Sequence, residues 1–353
     1  GQWGGADWGD MLTSFNPDDI ESVSVLKGAA ATALYGAKGG YGVINIITKK
    51  GSPGKGIGIE FNTGIVLENI INLSDLQTEF GGGGLGLLDP ADPSSPRIYT
   101  RPATQMQAFN WGVASSWGPR FDGKPSIQFD GAERPYSYTG DNWKRFYQTG
   151  HSWTNSLSLT GGNENQLFRF SFADMKSTYV IPRSGFDRIN ASISASGKSG
   201  RKLSYTAKIL YSNEKIRKRP YVSDSPGNAG YTLWNLPGNI NVDDLMGDPG
   251  KPGAVQSGVI TPDPVTKNTG EEFSPSGNIW IQNPWWVAYQ FNNYLLRNRI
   301  IASASLKYNI LDWLYIQGKA GLDLAYCEWS LLIPEGTSYN RIGRAEEEYT
   351  RIQ

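Results

Sequence analysis

Few stretches of this 353-residue chain carry the residue types and spacings that chemistry needs. "GSPGKG" (51–56) brings glycines and a lysine together as a phosphate-binding loop does. Such a loop requires four residues between its first Gly and the Gly-Lys pair, then Ser or Thr. Here two intervene and Gly56 follows Lys55, so nucleotide binding is set aside. "GGGG" (81–84) lacks a strand before and a helix after it and reads as a loop tip. Aspartates crowd "DPADP" (89–93), "NVDDLMGD" (241–248) and the "TPDP" around Asp263. Loop carboxylates and carbonyls are calcium ligands, but none of these completes an EF-hand loop, and solvated turns are the better reading; no cofactor is assigned. His151, the lone histidine, rules out a cage of several imidazoles and has no identifiable Ser or Cys nucleophile beside it. Cys327 has no second cysteine with which to close a disulfide. No catalytic residue emerges, and the chain reads as a non-enzyme. The most suggestive cluster is aromatic. In "NIWIQNPWWVAYQF" (278–291), Trp280, Trp285, Trp286 and Tyr289 could stack on sugar rings or grip an apolar peptide side chain. Equally, they could pack a loop core or join an interfacial belt.

The elements that would carry such residues are β-strands. Glycine at 43 residues and aromatics at 12% describe short strands and turns rather than helices. Thirty-three basic residues balance thirty-three acidic ones, so no global field draws the chain to nucleic acid or an anionic surface. No run of eighteen apolar residues exists, so no α-helix is expected to cross a membrane. The opening "GQWGGADWGD" has neither the basic nor the apolar region of a signal peptide. A mean hydropathy of −0.42 does not decide the compartment, because a transmembrane barrel shows lipid only one face of each strand.

After Gly51 the chain alternates with period two. In "IGIEFNTGIVL" (57–67) Ile57, Ile59, Phe61, Ile65 and Leu67 share one face, with Glu60 and Asn62 on the other. The pattern recurs through Trp153, Leu157 and Leu159, then Phe168, Phe170 and Phe172, then Ile189 to Ala195 and Leu203 to Tyr211. It returns in Ile300 to Tyr308 and in Leu314 to Tyr326, predicting about seven strands of roughly 9–12 residues, the length of a tilted membrane-crossing strand. A soluble sandwich would alternate too. Three features favour a membrane barrel. The mid-strand charges Arg169, Lys208, Arg299, Lys307, Lys319 and Asp323 all lie on the polar face. Trp153, Tyr211, Tyr308 and Tyr326 stand at the ends of apolar faces. Tight connections such as "GGNEN" (161–165) alternate with long ones, near 68–151 and 214–296, which are expected to fold locally.

The stretch "NPDDIESVSVLKGAAATALYGAKGGYGVINIITKKG" (16–51) closely resembles the end of the plug domain of TonB-dependent outer-membrane transporters, in particular their SusC/RagA-like branch. "WGPRFDG" (117–123) is similar to that branch's first-loop motif, 154–190 to its early hairpin, and "NPWW" (283–286) to a loop element. Residue by residue, Val23, Val25 and Leu26 make a strand, Gly28 releases the backbone, and Ala29 to Leu34 form a helical turn closed by Tyr35 and Gly36. Gly42 and Asn45 belong to the same motif, and Val43 to Thr48 returns as a central strand. The resemblance implies a mainly β fold, part of a 22-stranded antiparallel transmembrane β-barrel closed by an internal plug. Residues 1–51 would be the C-terminal part of the plug and 52–353 the N-terminal portion of the barrel. Seven strands would leave two open edges in lipid, so the chain is expected to be a fragment or one piece of a split barrel. Function is expected to be TonB-dependent import of a large nutrient, glycan or oligopeptide, across the outer membrane of a Gram-negative bacterium. The implied partners are a SusD-like lipoprotein lid, TonB acting through a segment absent here, and outer-membrane lipid, with no nucleic acid. Arg169, Lys208 and Lys319 would line the lumen or, as the better reading, contact the plug. The alternative is a non-transporting barrel that anchors or organises a surface complex.

Overall fold

The structure is a computed structural model that describes residues 11–54, 56–71, 74–82, 116, 118, 120–127, 133–219, 221–224, 226–246, 272 and 280–352. An N-terminal unit holds β1 (Ile20–Leu26), α1 (Ala29–Tyr35) and β2 (Val43–Thr48), the two strands pairing antiparallel around the helix. Gly28 and Gly36 bracket α1 with φ of 59° and 63°, a left-handed backbone that side chains resist, which is why glycine stands at both ends of this alanine-rich turn. Among the described residues β2 pairs with β1 alone, so the expected central strand lies in a two-stranded sheet.

Then follow β3 (Ile57–Glu68), the short β4 (Pro125–Ile127) and β5 (Glu133–Pro135), α2 (Asn142–Phe146), β6 (Gly150–Gly162), β7 (Gln166–Thr178), β8 (Gly185–Ser199) and β9 (Leu203–Arg217). After α3 (Ala229–Asn235) and α4 (Pro284–Gln290) come β10 (Asn292–Leu311), β11 (Leu314–Ile333) and β12 (Arg344–Ile352). One eight-stranded sheet runs β3-β6-β7-β8-β9-β10-β11-β12, each strand antiparallel to the next. The eighth strand is β12, "RAEEEYTRI", whose run of glutamates conceals its period from a search for apolar alternation. Strands β10 and β11 are also longer than expected, at 20 residues each, because their ladder continues beyond the apolar stretch.

Register aligns the apolar residues across the whole sheet. Leu157 faces Phe172, Phe170 faces Ile193, Ile193 faces Ile209, Ile209 faces Ala302, and Ala302 faces Leu322. This face is the open one: Phe170 and Phe172 are 39% and 41% exposed, while Ser171 between them is 2% exposed. A soluble sandwich would bury the phenylalanines and expose the serine, so the inversion separates the two architectures that periodicity alone could not.

The short connections 163–165, 200–202 and 312–313 fall at one end of the sheet; 69–149, 179–184, 218–291 and 334–343 fall at the other. Between β2 and β3 the chain crosses the short-turn end. There a Cβ at Gly51 would lie 2.3 Å from the Phe168 carbonyl oxygen, so only glycine lets the crossing pass this close to β7. No described helix is long and apolar enough to cross a membrane.

Candidate functional site

Two places bring functional groups together: a polar seam where residues 11–19 lie on the serine-rich face of the sheet, and a layer built by the long connections. The seam begins with "NPDD". Asn16 caps a helical turn over Pro17–Asp19, its side chain accepting from the Asp18 N–H, with proline at a position where no N–H is needed. The turn delivers two carboxylates to the wall. Asp18 accepts from the Ser156 hydroxyl. Asp19 accepts from Arg169 at 2.9 Å and from the Ser171 hydroxyl at 2.7 Å, and both partners of this ion pair are buried. Arg169 also donates to Ser158 at 3.0 Å, so the charge is well dressed with hydrogen bonds. Further along, Arg188 donates to the Thr13 carbonyl at 2.6 Å, Asn190 to that of Ser14 at 2.7 Å, and Arg299 to that of Met11 at 2.7 Å. Arg299 is itself held by a two-pronged contact with Asp323 at 2.8 and 2.7 Å, and Arg297 by Glu214 at 2.9 Å. Lys208 donates to Thr48 of β2. Arg169 and Lys208 thus hold the N-terminal unit to the wall.

The long connections fold into a second core. Phe146 of α2, Ala229 and Leu233 of α3, Ile240, Val242, Leu245, and Trp285 of α4 pack together, so sequence segments about a hundred residues apart share one apolar cluster. Asp141, Asn228 and Asn283 each cap the helix that follows with a side-chain oxygen. In "NPWW", Asn283 caps, Pro284 occupies the first turn, and the tryptophans go inward: Trp285 is 5% exposed and Trp286 0%. Trp285 donates to the Val242 carbonyl at 2.8 Å and Trp286 to the Thr337 hydroxyl at 3.1 Å, so both are used up by loop packing and present no face to a ligand. Trp280 remains half open beside Tyr339, and Tyr289 carries Arg183 over its ring at 4.9 Å. The aspartates of "NVDDLMGD" that are described serve as ion-pair partners, Asp243 with Arg145 at 3.7 Å and Asp244 with Arg134 at 3.5 Å. "DPADP" and "TPDP" lie outside the described residues. Among the described residues no cluster of three or more His, Cys, Asp or Glu could hold a metal.

Helix α4 is held at its start by a buried carboxyl group and at its end by a half-buried ammonium. At its start the Glu272 carboxylate accepts from the backbone N–H groups of Asn283 at 2.6 Å and Ser338 at 2.8 Å, and from the Ser338 hydroxyl. Burial pushes this carboxyl up to about 7 against the pull of those donors. At its end Lys218 donates to the carbonyls of Ala288, Tyr289 and Phe291 at 3.2, 2.8 and 2.7 Å. Burial, with the nearby Arg183 charge, pushes the Lys218 ammonium down to about 8. The signs match the helix dipole.

Between the two long connections opens a cleft of about 840 Å³. Phe80 and Tyr138 reach it from the first connection, Trp143 from α2 and Trp234 from α3. Sequence inspection missed these residues, because their spacing in the chain carries no motif and only the shared core brings them face to face.

No protein-family model matches the chain. It is 27% identical over 183 residues to the TonB-dependent receptor SusC of Bacteroides thetaiotaomicron, which is 52% of this chain and 14% of that protein. It is 48% identical over 60 residues to the TonB-dependent receptor P3 of Formosa agariphila, 17% of this chain and 6% of that one. The chain resembles TonB-dependent receptors of the SusC/RagA type. Among solved structures, the RagAB peptide importer in its open-open state superposes with a TM-score of 0.67 at 18% identity, covering 96% of this chain and 36% of that chain. Its closed-closed state gives a TM-score of 0.63. The eight-stranded sheet therefore has the fold of part of the RagAB barrel. The chain spans about a third of that structure's length and less of the curated relatives.

Proposed function

We propose that this chain is part of an outer-membrane importer that moves a large nutrient, glycan or oligopeptide, when TonB pulls on an internal plug. Residues 1–51 are the end of the plug and 52–353 the first part of the barrel, with a SusD-like lipoprotein closing over the long loops. The observation that carries this reading is the inverted sheet: an exposed apolar face suited to lipid, and a serine- and arginine-rich face on which residues 11–19 lie. Apolar side chains exposed in register across the sheet are stable only against hydrocarbon or another apolar surface. The seam's polar character fits a plug that must part from its wall, since water can replace each hydrogen bond, whereas an apolar weld would resist hydration. The resemblance to TonB-dependent receptors and to the fold of a peptide importer supports the same reading. The test uses the complete polypeptide in its own cell: deleting the TonB-interacting segment should abolish growth on, and uptake of, the nutrient while the protein still reaches the outer-membrane fraction. Unchanged uptake would overturn the importer reading.

A further inference from the structure

We propose that the outward face of β7, β8 and β9, just beyond the apolar belt on the side of the long connections, holds a phosphate group of an outer-leaflet glycolipid through Lys176, Lys215 and Arg217. The proposal rests on the barrel part of the importer reading and adds a lipid partner to it. Strand register carries the argument. Lys176 of β7 stands opposite Asp187 of β8, and Asp187 opposite Lys215 of β9, with Trp153 of β6 opposite Lys176 on its other side. These ladders run without a register shift from Phe172, Ile189 and Tyr211, so the alternation that exposes those apolar side chains also turns the charges outward. Trp153 is 55% exposed and marks the end of the apolar face, where an interfacial aromatic sits.

Arg217 completes the group. Its guanidinium makes two contacts with Asp187, the longer at 3.2 Å, and lies across Gly185, where a Cβ would come within 2.8 Å of it. The glycine leaves room for an arginine laid along the outside of the wall. Asp187 is thus taken by Arg217, while Lys176 and Lys215 are exposed and make no hydrogen bond or ion pair with another described residue. Three cations adjoin one carboxylate, and one intervening strand sets the two lysines only about 10 Å apart at the backbone. Asp174, one row deeper on β7, reduces this excess without removing it. Glu328 lies two strands beyond Lys215 and accepts from the Tyr294 hydroxyl. Like charges gathered on one sheet face repel, and more strongly beside hydrocarbon, where the field is poorly screened. A phosphate at this level relieves the repulsion and accepts hydrogen bonds from all three side chains. Long connections mark the outer side of a bacterial barrel, so the phosphate at this height is that of the outer-leaflet glycolipid.

The test is lipid retention by the complete polypeptide purified in a nonionic detergent, read by native mass spectrometry as the lipid concentration that half-saturates the protein. The probes are lipid A bearing two phosphates, the same lipid A stripped of its phosphates, and phosphatidylglycerol. Diphosphorylated lipid A should bind. Lys176→Gln with Lys215→Gln should weaken it about tenfold or more, and Lys176→Arg with Lys215→Arg should keep it. Lys198→Gln with Arg201→Gln, exposed at the opposite end of the sheet, should leave it unchanged. Heat-modifiable mobility on gels checks that each variant is folded. The proposal is overturned if diphosphorylated lipid A does not bind, or if the glutamine pair at 176 and 215 leaves its affinity intact. It is equally overturned if stripped lipid A or phosphatidylglycerol binds as tightly, or if the pair at 198 and 201 weakens binding as much. Lipid retention needs neither TonB nor nutrient, so failure here and failure of the uptake test are separate results.

Discussion

The seam and the loop layer start from the same local device and end in opposite chemistry. Asn16-Pro17 and Asn283-Pro284 each open a helical turn with a capping amide and a proline that has no N–H to leave unpaired. The first then presents Asp18 and Asp19 to hydroxyls and Arg169; the second drives Trp285 into the core shared by the long connections and Trp286 into a smaller apolar cluster with Phe291, Leu331 and Ile333. A capped turn is a way of aiming the next two side chains, and the side chains decide whether the contact hydrates or holds. The seam can be exchanged for water bond by bond. The loop layer loses about 3–5 kcal/mol when a single large buried ring is removed, because the cavity cannot be refilled.

Removing Trp286 should therefore have the largest effect. Trp286→Ala should destabilise the loop layer by about 3–5 kcal/mol, seen as rapid proteolysis of the long connections while the barrel keeps its heat-modifiable mobility on gels. Cleavage no faster than in the unaltered protein would mean that the layer does not depend on this core. Asp19→Ala should come next, at about 3 kcal/mol, since it leaves Arg169 buried without its carboxylate. Hydrogen exchange over residues 11–19 would report it, and adding Arg169→Met should restore part of the protection. If the double variant exchanges as fast as the single one, the ion pair is not what anchors the seam.

A smaller effect is expected from acid and base. The folded Glu272 carboxyl is raised from its ordinary 4.5 to about 7, so its contribution to stability is fully present below about pH 4.5 and lost as pH rises through about 7. Lys218 behaves oppositely: lowered from 10.5 to about 8, it contributes above about pH 10.5 and loses that contribution as pH falls through about 8. Proteolysis of the long connections should thus quicken between pH 5 and 7, and Glu272→Gln should flatten that rise; an identical slope in the variant would remove Glu272 as its cause. Smallest, Gly51→Ala should cost about 1–2 kcal/mol by pushing the crossing away from Phe168, read as a modest gain in exchange at residues 49–54.

How much could be read from the chain depends on the range of the interaction. Seven of the eight long strands show in the spacing of residues such as Phe168, Phe170 and Phe172, because side-chain alternation is a property of each strand alone. β12 escaped because Glu346, Glu347 and Glu348 break the apolar alternation, and its place is set by pairing with β11. Gly28 and Gly36 were legible as the glycines that free the backbone before the helical turn and close it, for the same local reason, and both have positive φ. Trp285 and Trp286 were visible as a cluster, but Trp285 is buried by Val242 and Leu245 some forty positions earlier and Trp286 by Leu331 and Ile333 some forty-five positions later. Asp19 and Arg169 are 150 positions apart, and no spacing rule joins them.

The sequence by itself determined the period-two alternation, the turns and caps, the placing of charge on one face of each strand, and a resemblance strong enough to suggest a plug and barrel. Those properties follow from sterics and hydrogen bonding within a few residues. Only the tertiary structure decided which face of the sheet is covered, which carboxylate meets which arginine, and that four aromatics from two distant connections border one cleft. Each of these depends on where separate segments of chain come to rest against one another, and local sequence places no constraint on that.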